Sequence, residues 1–106
     1  MKSTIIFVYV TFPNIKEAKK MSKKLLNKKL IGCANIFPKM ESIYIWNDKL
    51  NEDMEVAVYF KSHAHLEKKI ISFISKHHPY DTPCIAFIKP KSLNKKYAQW
   101  LKTNLI

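Results

Sequence analysis

Two long segments rich in β-branched and aromatic residues follow one another with only a short turn between them. Residues 32–46 and 50–61 are predicted strands, the first bent at Pro38, and Asn47-Asp48-Lys49 supplies the turn. Arms of about 12 residues extend roughly 40 Å, whereas a helix of about 15 residues covers only about 22 Å. The hairpin is therefore too long for its own sheet, and about half of it is expected to project beyond the helices.

The other segments alternate between strand and helix patterns, so the chain reads β-α-β-β-α-β with one more helix at the end. The predicted elements outside the hairpin are a strand over residues 4–11, a helix after the N-cap Asn14, a helix from the cap Ser62 to the residue before Pro79, a strand over residues 84–88, and a short helix after Pro90. This order is that of a ferredoxin-like α+β sandwich. Right-handed crossovers place the strands in the order 4, 1, 3, 2. At 106 residues the chain is expected to form one domain over residues 1–106.

The projecting end of the hairpin is strongly apolar. It carries Ile43, Tyr44, Ile45 and Trp46 in one run. A two-stranded ribbon with such side chains is neither stable nor soluble by itself, and open strand edges tend to pair with other chains. We therefore expect an oligomer in which the hairpin ends pack on neighbouring subunits.

All 19 basic residues are lysines, and the formal net charge is +11. Without arginine the chain lacks the planar fork that grips phosphates and carboxylates through two hydrogen bonds. A single glycine excludes P-loops and dinucleotide-binding loops, and neither G-x-S-x-G nor H-E-x-x-H occurs. We expect no enzymatic activity, although the sequence leaves open a serine or cysteine nucleophile paired with histidine.

The lysines concentrate on the polar faces of the predicted helices, opposite the apolar stripes. The third strand has no glycine over residues 55–60, unlike the corresponding strand of RNA-recognition domains. We therefore expect no specific nucleic-acid partner. Weak, salt-sensitive attraction to polyanions stays open on charge alone.

The chain shows no sign of membrane insertion or of a disulfide framework. No apolar run approaches the roughly 18 residues needed to cross a bilayer, and the apolar run near the start reads as a strand. Cys33 and Cys84 form no CxxC motif, and they fall on strands predicted at opposite edges of the sheet. We expect a cytoplasmic protein, without a membrane partner, whose two cysteines do not pair within one chain.

Several short motifs, spread over nearly the whole length, carry a resemblance to a known family. They are Val10-Thr11-Phe12-Pro13, Gly32-Cys33-Ala34-Asn35, Ser42-Ile43-Tyr44-Ile45-Trp46, Glu55, Lys61, His78-Pro79-Tyr80-Asp81-Thr82-Pro83 and Tyr97-Ala98-Gln99-Trp100-Leu101. In this order and spacing the chain resembles the CutA divalent cation tolerance proteins. The resemblance implies a ferredoxin-like subunit and a homotrimer related in shape to PII signalling proteins. It also implies binding of copper or other divalent metal ions, and a role in metal tolerance that is not an enzymatic reaction.

The resemblance also points to metal-binding residues. Some relatives bind copper through a cysteine near the end of the first strand together with paired histidines, which here are His77 and His78. The cysteine position is occupied by Val10, which cannot ligate a metal. Because the fourth strand runs antiparallel to the first, Cys84 is expected near that position, and we hypothesise that it partly replaces the lost thiolate, for copper or zinc.

Ordinary structural roles stay open for these residues. His77 and His78 also suit the C-terminal end of a helix, where positive charge is favoured. Cys33 is a further candidate metal residue, but cysteines in such places are more often small buried hydrophobes. His63 and His65 have no evident partner and are expected to be solvated.

Four residues are candidates to line a cleft between subunits: Trp46, Glu55, Lys61 and Tyr80. Aromatic residues in a trimer interface need no ligand to explain them. An alternative function is that of a PII-like signalling trimer, which would hold a small anion or bind a protein partner at this cleft. Lys61 is the residue that would contact such an anion.

Overall fold

The computed structural model describes residues 4–106, so the first three residues of the predicted domain lie outside the described part. In chain order the elements are β1 (Ile5–Phe12), α1 (Ile15–Asn27), β2 (Cys33–Trp46), β3 (Lys49–His63), a 3₁₀ turn (Ala64–Leu66), α2 (Glu67–His77), β4 (Ile85–Ile88) and α3 (Lys95–Lys102). The predicted α+β order is confirmed. Among the described residues, no helix combines the length and apolarity needed to span a bilayer.

The four strands form one antiparallel sheet in the order β2-β3-β1-β4, which confirms the predicted topology. β1 is a central strand of the sheet, and its Val10 pairs with Val58 on one side and with Ile85 on the other. The outer strands β2 and β4 lie at opposite edges of the sheet. Cys33 and Cys84 are accordingly both free thiols, as expected.

Helices α1 and α2 cover one face of the sheet, whereas α3 lies against part of the other face, where Tyr97 contacts Lys61. On β1 the even-numbered side chains, among them Val8, Val10 and Phe12, are fully buried beneath the helices. They pack in one core with α1 residues such as Leu25 and α2 residues such as Ile70. Asn14 caps α1 as predicted, because its side-chain oxygen accepts the Glu17 N–H at 2.9 Å.

The opposite face of the sheet, called here the open face, carries an aromatic cluster that no helix fully covers. The ring of Tyr59 lies 6.3 Å from Phe7, 5.5 Å from Tyr9 and 5.8 Å from Phe37, measured between centroids. Phe37 is 49% exposed, and the other three rings are partly exposed. The sheet therefore has one face buried against α1 and α2, and an apolar face that α3 covers only in part.

The hairpin projects far beyond the sheet, as its length predicts. β1 pairs with residues 56–63 of β3, whereas β2 follows β3 as far as the pair of Trp46 and Lys49. Asn47 and Asp48 both adopt positive φ, 53° and 62°, as a two-residue type I′ turn requires. The register shifts by one residue beside Pro38, which places the predicted bend there. The molecule is 48 Å long and only 27 Å and 23 Å across.

One predicted helix cap is wrong. Ser62 does not begin α2 but lies within β3, fully buried, and its hydroxyl donates to the carbonyl of Leu30 at 2.6 Å. His63 caps the 3₁₀ turn instead, because its ring nitrogen accepts the His65 N–H. A serine before a helical pattern has the same appearance in the sequence whether its hydroxyl caps the helix or reaches a distant loop.

Ser62→Ala should lower the free energy of unfolding by about 1–3 kcal/mol, because it removes a buried hydrogen bond to a loop carbonyl. Ser22→Ala is the matched control. The Ser22 hydroxyl is also buried but donates to the Ala18 carbonyl inside α1, which has a main-chain partner as well, so we expect a change below about 0.5 kcal/mol. Urea unfolding measures both variants, and equal losses would contradict this interpretation.

Gly32→Ala should also destabilise the fold. Gly32 begins the turn into β2, donates its N–H to Lys61 at 2.9 Å, and lies directly beneath α3. A Cβ there would lie 2.4 Å from the Leu101 carbonyl oxygen and 2.8 Å from its Cδ1, so α3 would have to move. We expect a loss of about 1–3 kcal/mol in a thermal melt. An unchanged melting temperature would show that α3 is not held in this position.

Candidate functional site

A groove of about 730 Å³ lies between the projecting hairpin and the loop that joins α2 to β4. We call it the hairpin groove. Its lining residues come from the hairpin, from the end of β1 and from the loop, and they are Thr11, Pro13, Tyr44, Trp46, Asp53, Met54, Glu55, Pro79, Tyr80, Asp81, Thr82 and Cys84. The projection of the hairpin creates this groove, because a hairpin that ended with the sheet would leave the loop without an opposite wall.

His78 fixes the loop wall of the hairpin groove. Its Nε2 donates to the Thr11 carbonyl at 2.8 Å, and its Nδ1 accepts the Tyr80 N–H at 3.0 Å. Its ring stacks on Phe12 with 4.7 Å between the ring centroids. Burial lowers the pKa of His78, although the bond to Thr11 opposes the shift, so the ring is neutral at pH 7. His78 therefore ties the loop to the end of β1 through both ring nitrogens.

Two tyrosines hold the carboxylates of the hairpin groove in place. The Tyr80 hydroxyl donates to Glu55 at 2.7 Å, and the Tyr44 hydroxyl donates to Asp53. Burial and the bond to Glu55 raise the pKa of Tyr80 strongly, and the bond to Asp53 raises the pKa of Tyr44. Both phenols stay protonated at neutral pH and act as hydrogen-bond donors to the two carboxyl groups.

The electrostatic character of the groove is opposite to that of the chain. Asp53, Glu55 and Asp81 line it, and among residues 4–106 no lysine contributes to its wall. In a chain with 19 lysines and 8 acidic residues, this leaves a local concentration of negative charge. Such a site attracts cations and repels small anions.

Of the four predicted cleft residues, the structure brings three together. Trp46, Glu55 and Tyr80 all line the hairpin groove. Lys61 is six residues further along β3, roughly 20 Å from Glu55 at the usual rise of a strand. Its ammonium lies on the open face, 3.0 Å from the Tyr97 hydroxyl and 5.1 Å from the centroids of the Phe7 and Tyr97 rings.

The predicted metal residues are dispersed over the molecule. Cys84 lines the hairpin groove beside Thr11, so its expected position near the end of β1 agrees with the structure. His77 lies on the outer side of α2, where its ring stacks on Phe73 and its Nδ1 donates to the Phe73 carbonyl. Cys33 lies at the opposite edge of the sheet, with its thiol 3.7 Å from Asn35.

These residues do not form a ready coordination site in the single chain. Both ring nitrogens of His78 are engaged by the main chain, and His77 faces a different surface from Cys84. Within the part of the chain that the structure describes, no three histidine, cysteine or acidic side chains converge at metal-binding distance. A metal ion in the groove would therefore need donors beyond those that one chain presents.

Sequence reasoning missed several groove residues, above all Asp53, Tyr44 and Asp81. The alternation of side chains along a strand could have identified Asp53, because residues two apart share a face and Glu55 was already a candidate. Tyr44 reaches Asp53 only through the register of the hairpin, in which Ser42 is opposite Asp53. The position of Asp81 in the groove depends on the path of the loop between α2 and β4. No local sequence pattern predicts that path.

A family model described as "CutA1 divalent ion tolerance protein" matches residues 6–104. Two curated relatives named "Divalent-cation tolerance protein CutA" are similar over most of their lengths. The protein from Thermococcus kodakarensis is 40% identical over 96 residues, which cover 91% of each chain. The protein from Thermotoga maritima is 37% identical over 102 residues, which cover 96% of this chain and 100% of the relative.

Solved structures give the same result for the fold. A crystal structure of divalent ion tolerance protein CutA1 from Ehrlichia chaffeensis superposes with a TM-score of 0.93 at 36% identity, covering 98% of this chain and 97% of that one. CutA1 from Pyrococcus horikoshii superposes with a TM-score of 0.91 at 36% identity, covering 95% and 98%. A sequence match over almost the whole chain, together with this likeness of fold, shows that the protein belongs to the CutA1 divalent ion tolerance family.

Proposed function

We propose that the protein works as a homotrimer that binds copper or another divalent cation at the hairpin groove, as part of a non-enzymatic response to metal ions. The observation that carries the proposal is the acidic groove in an otherwise basic chain, lined by Asp53, Glu55, Asp81 and Cys84. The family to which the chain belongs is named for divalent ion tolerance. We place the protein in the cytoplasm, in keeping with two free thiols.

Two apolar surfaces support assembly with other subunits. The open face presents the aromatic cluster around Tyr59, and the end of the hairpin exposes Ile43 and Ile45 at 65% each and Leu50 at 66%. Ile45 and Leu50 are paired across the hairpin, so they form one patch beyond the helices. A monomer would leave both surfaces in water, whereas packing the hairpin against a neighbour covers them.

The groove chemistry supports a cation as the ligand. Carboxylate oxygens bind hard divalent cations, and a thiol adds affinity for softer ions such as copper and zinc. Tyr80 and Tyr44 hold Glu55 and Asp53 in fixed positions, so these side chains lose less conformational entropy when a cation binds. In the proposed trimer, donors from a neighbouring subunit complete the coordination that one chain leaves open.

An enzymatic role has little chemical support in this groove. The nearest candidate nucleophile, Cys84, lines the groove, but His78 uses both of its ring nitrogens to hold the loop. A cysteine nucleophile needs a base or a positive neighbour to form a thiolate at neutral pH. Among residues 4–106, the lining of this groove supplies no lysine as a positive neighbour of Cys84.

The PII-like alternative has one observation in its favour, the Lys61 ammonium on the open face. Lys61 is partly buried and is held by the Tyr97 hydroxyl and two aromatic rings. A small anion could bind at this ammonium, but not at the acidic hairpin groove. The second candidate is therefore an anion site on the open face, separate from the groove.

Native mass spectrometry should give three times the chain mass of 12.5 kDa. Ile43→Lys, at the exposed end of the hairpin, should reduce the trimer fraction at low protein concentration, because it places a charge in the proposed contact. Ile71→Lys is the matched control: it changes an isoleucine that is 39% exposed on α2, away from the hairpin, and should leave the mass unchanged. A monomeric wild-type protein would contradict the proposed assembly.

Copper titration followed by calorimetry should show binding that depends on the hairpin groove. Cys84→Ala and Glu55→Gln should each weaken groove binding by about 10-fold, since each removes one donor group. Cys33→Ala removes the other thiol, at the far edge of the sheet, and should have no effect. Equal affinity in the wild type and in both groove variants would overturn the assignment of the groove as the metal site.

A further inference from the structure

His63 and His65 come together where β3 ends and the 3₁₀ turn begins. Their Nδ1 atoms lie 2.6 Å apart, and their ring centroids are separated by 4.4 Å. The backbone of His63 is still extended, with φ −109° and ψ 143°. The chain then turns at Ala64, which brings the side chain of His65 next to that of His63. The two histidines, called here the histidine pair, are therefore partners, contrary to the expectation from the sequence.

The hydrogen bonds define which nitrogen carries a proton. The Nδ1 of His63 accepts the main-chain N–H of His65 at 3.2 Å, so the proton of His63 is on its Nε2. The Nδ1 of His65 is then the donor in the contact between the rings. The two nitrogens point at one shared proton. A metal ion in place of that proton would be chelated by both nitrogens.

We propose that the histidine pair is a second divalent transition-metal site, in which the Nδ1 atoms of His63 and His65 chelate a borderline ion such as Cu²⁺ or Zn²⁺. The inference rests on the proposed cation-binding function but uses residues far from the hairpin groove. Imidazole nitrogen is a preferred ligand of both ions. Water completes the coordination, since the two side chains supply only two donors.

The distances allow this chelate after a small adjustment. Two nitrogens bound to one ion at about 2.0 Å, at an angle between about 90° and 110°, lie about 2.8–3.3 Å apart. The observed 2.6 Å must therefore widen by a few tenths of an ångström, which a small side-chain rotation provides because His65 is exposed. The proton on the Nδ1 of His65 moves to the Nε2 of the same ring, which frees the Nδ1 lone pair for the ion.

The groups around the histidine pair both favour metal binding and limit its affinity. Burial, then His65 and Lys102, lower the pKa of His63, so its ring is neutral at pH 7 with a lone pair on Nδ1. The charge of Lys102 that contributes to this effect also repels a bound cation. The metal replaces the His65 N–H as partner of His63, and that N–H then turns to water. Both costs predict moderate affinity.

The other two histidines cannot offer an equivalent pair. The Nδ1 of His77 faces the Phe73 carbonyl, and His78 has both nitrogens bonded to the main chain. His77 and His78 are adjacent in the sequence, but one ring stacks on Phe73 and the other on Phe12. Within residues 4–106, the histidine pair is thus the one place where two imidazole nitrogens face each other.

The test is a Cu²⁺ titration of tag-free protein by calorimetry, with electron paramagnetic resonance to detect nitrogen ligands. We expect the wild type to bind two equivalents per chain, one at the groove and one at the histidine pair. His65→Gln should remove one equivalent or weaken it by about 100-fold, since a single imidazole loses the advantage of chelation. It should also remove the nitrogen couplings from the spectrum.

Matched variants separate metal binding from effects on folding. His77→Gln changes another exposed histidine and should leave the second equivalent intact. Lys102→Gln should tighten binding at the pair by about 3-fold, because it removes a nearby positive charge. His63→Gln should act like His65→Gln on metal binding, although it also removes the cap of the 3₁₀ turn. A thermal melt of His65→Gln, which keeps that cap, checks that the fold is unchanged.

The outcomes distinguish this inference from the proposed function. If His63→Gln and His65→Gln bind as many equivalents as the wild type, with the same affinity, the pair is only a helix cap and the inference is overturned. In that case the groove proposal stands if Cys84→Ala and Glu55→Gln weaken binding. If only the histidine variants lose metal, the pair is the metal site and the groove proposal fails. A wild type that binds no Cu²⁺ overturns both.

Discussion

The difference in length between β3 and its neighbour β1 shapes the rest of the structure. β3 has 15 residues, but β1 pairs only with residues 56–63, so the remaining part of β3 is supported by β2 alone. The paired half builds the core beneath the helices. The other half, which pairs only with β2, forms one wall of the hairpin groove. It also belongs to the end of the hairpin that exposes an apolar patch around Ile45 and Leu50. The candidate site and the proposed assembly surface thus both come from the part of the hairpin that extends beyond the sheet.

Acidic and basic residues are distributed unequally between the hairpin and the rest of the chain. Between Cys33 and His63 the chain holds five of its eight acidic residues but only three of its 19 lysines. The hairpin is therefore slightly negative, while the rest of the chain is strongly positive. In the proposed trimer, this distribution of charge favours contacts between the hairpin of one subunit and the basic part of another, because opposite potentials attract. The acidic groove is also separated from most of the lysines, so the high net charge does not argue against the proposed cation binding there.

Local patterns in the sequence were reliable where a local cause determines the structure. The strand order follows from the handedness of crossovers, the cap of α1 from Asn14 and the hairpin turn from Asn47 and Asp48. The predictions failed or fell short where a side chain acts across the fold. Ser62 reaches Leu30 rather than capping a helix, and Lys61 lies on the same strand as Glu55 but far from the groove. The contact between His63 and His65 depends on the backbone turn at Ala64. The identities of the two histidines do not predict that turn.

The sequence by itself determined the α+β topology, the overlong hairpin, the absence of arginine-based phosphate recognition and the family resemblance that the comparisons bear out. The topology, the long hairpin and the missing arginine follow from periodicity, turn chemistry and composition, which are local or additive, whereas the resemblance follows from the short motifs in the sequence. Only the tertiary structure decided which side chains share a site. It joined Asp53, Glu55, Tyr80 and Cys84 in one groove, separated His77 from His78, and brought His63 to His65. Strand register, loop path and side-chain rotation set these contacts, and each depends on packing between segments far apart in the chain.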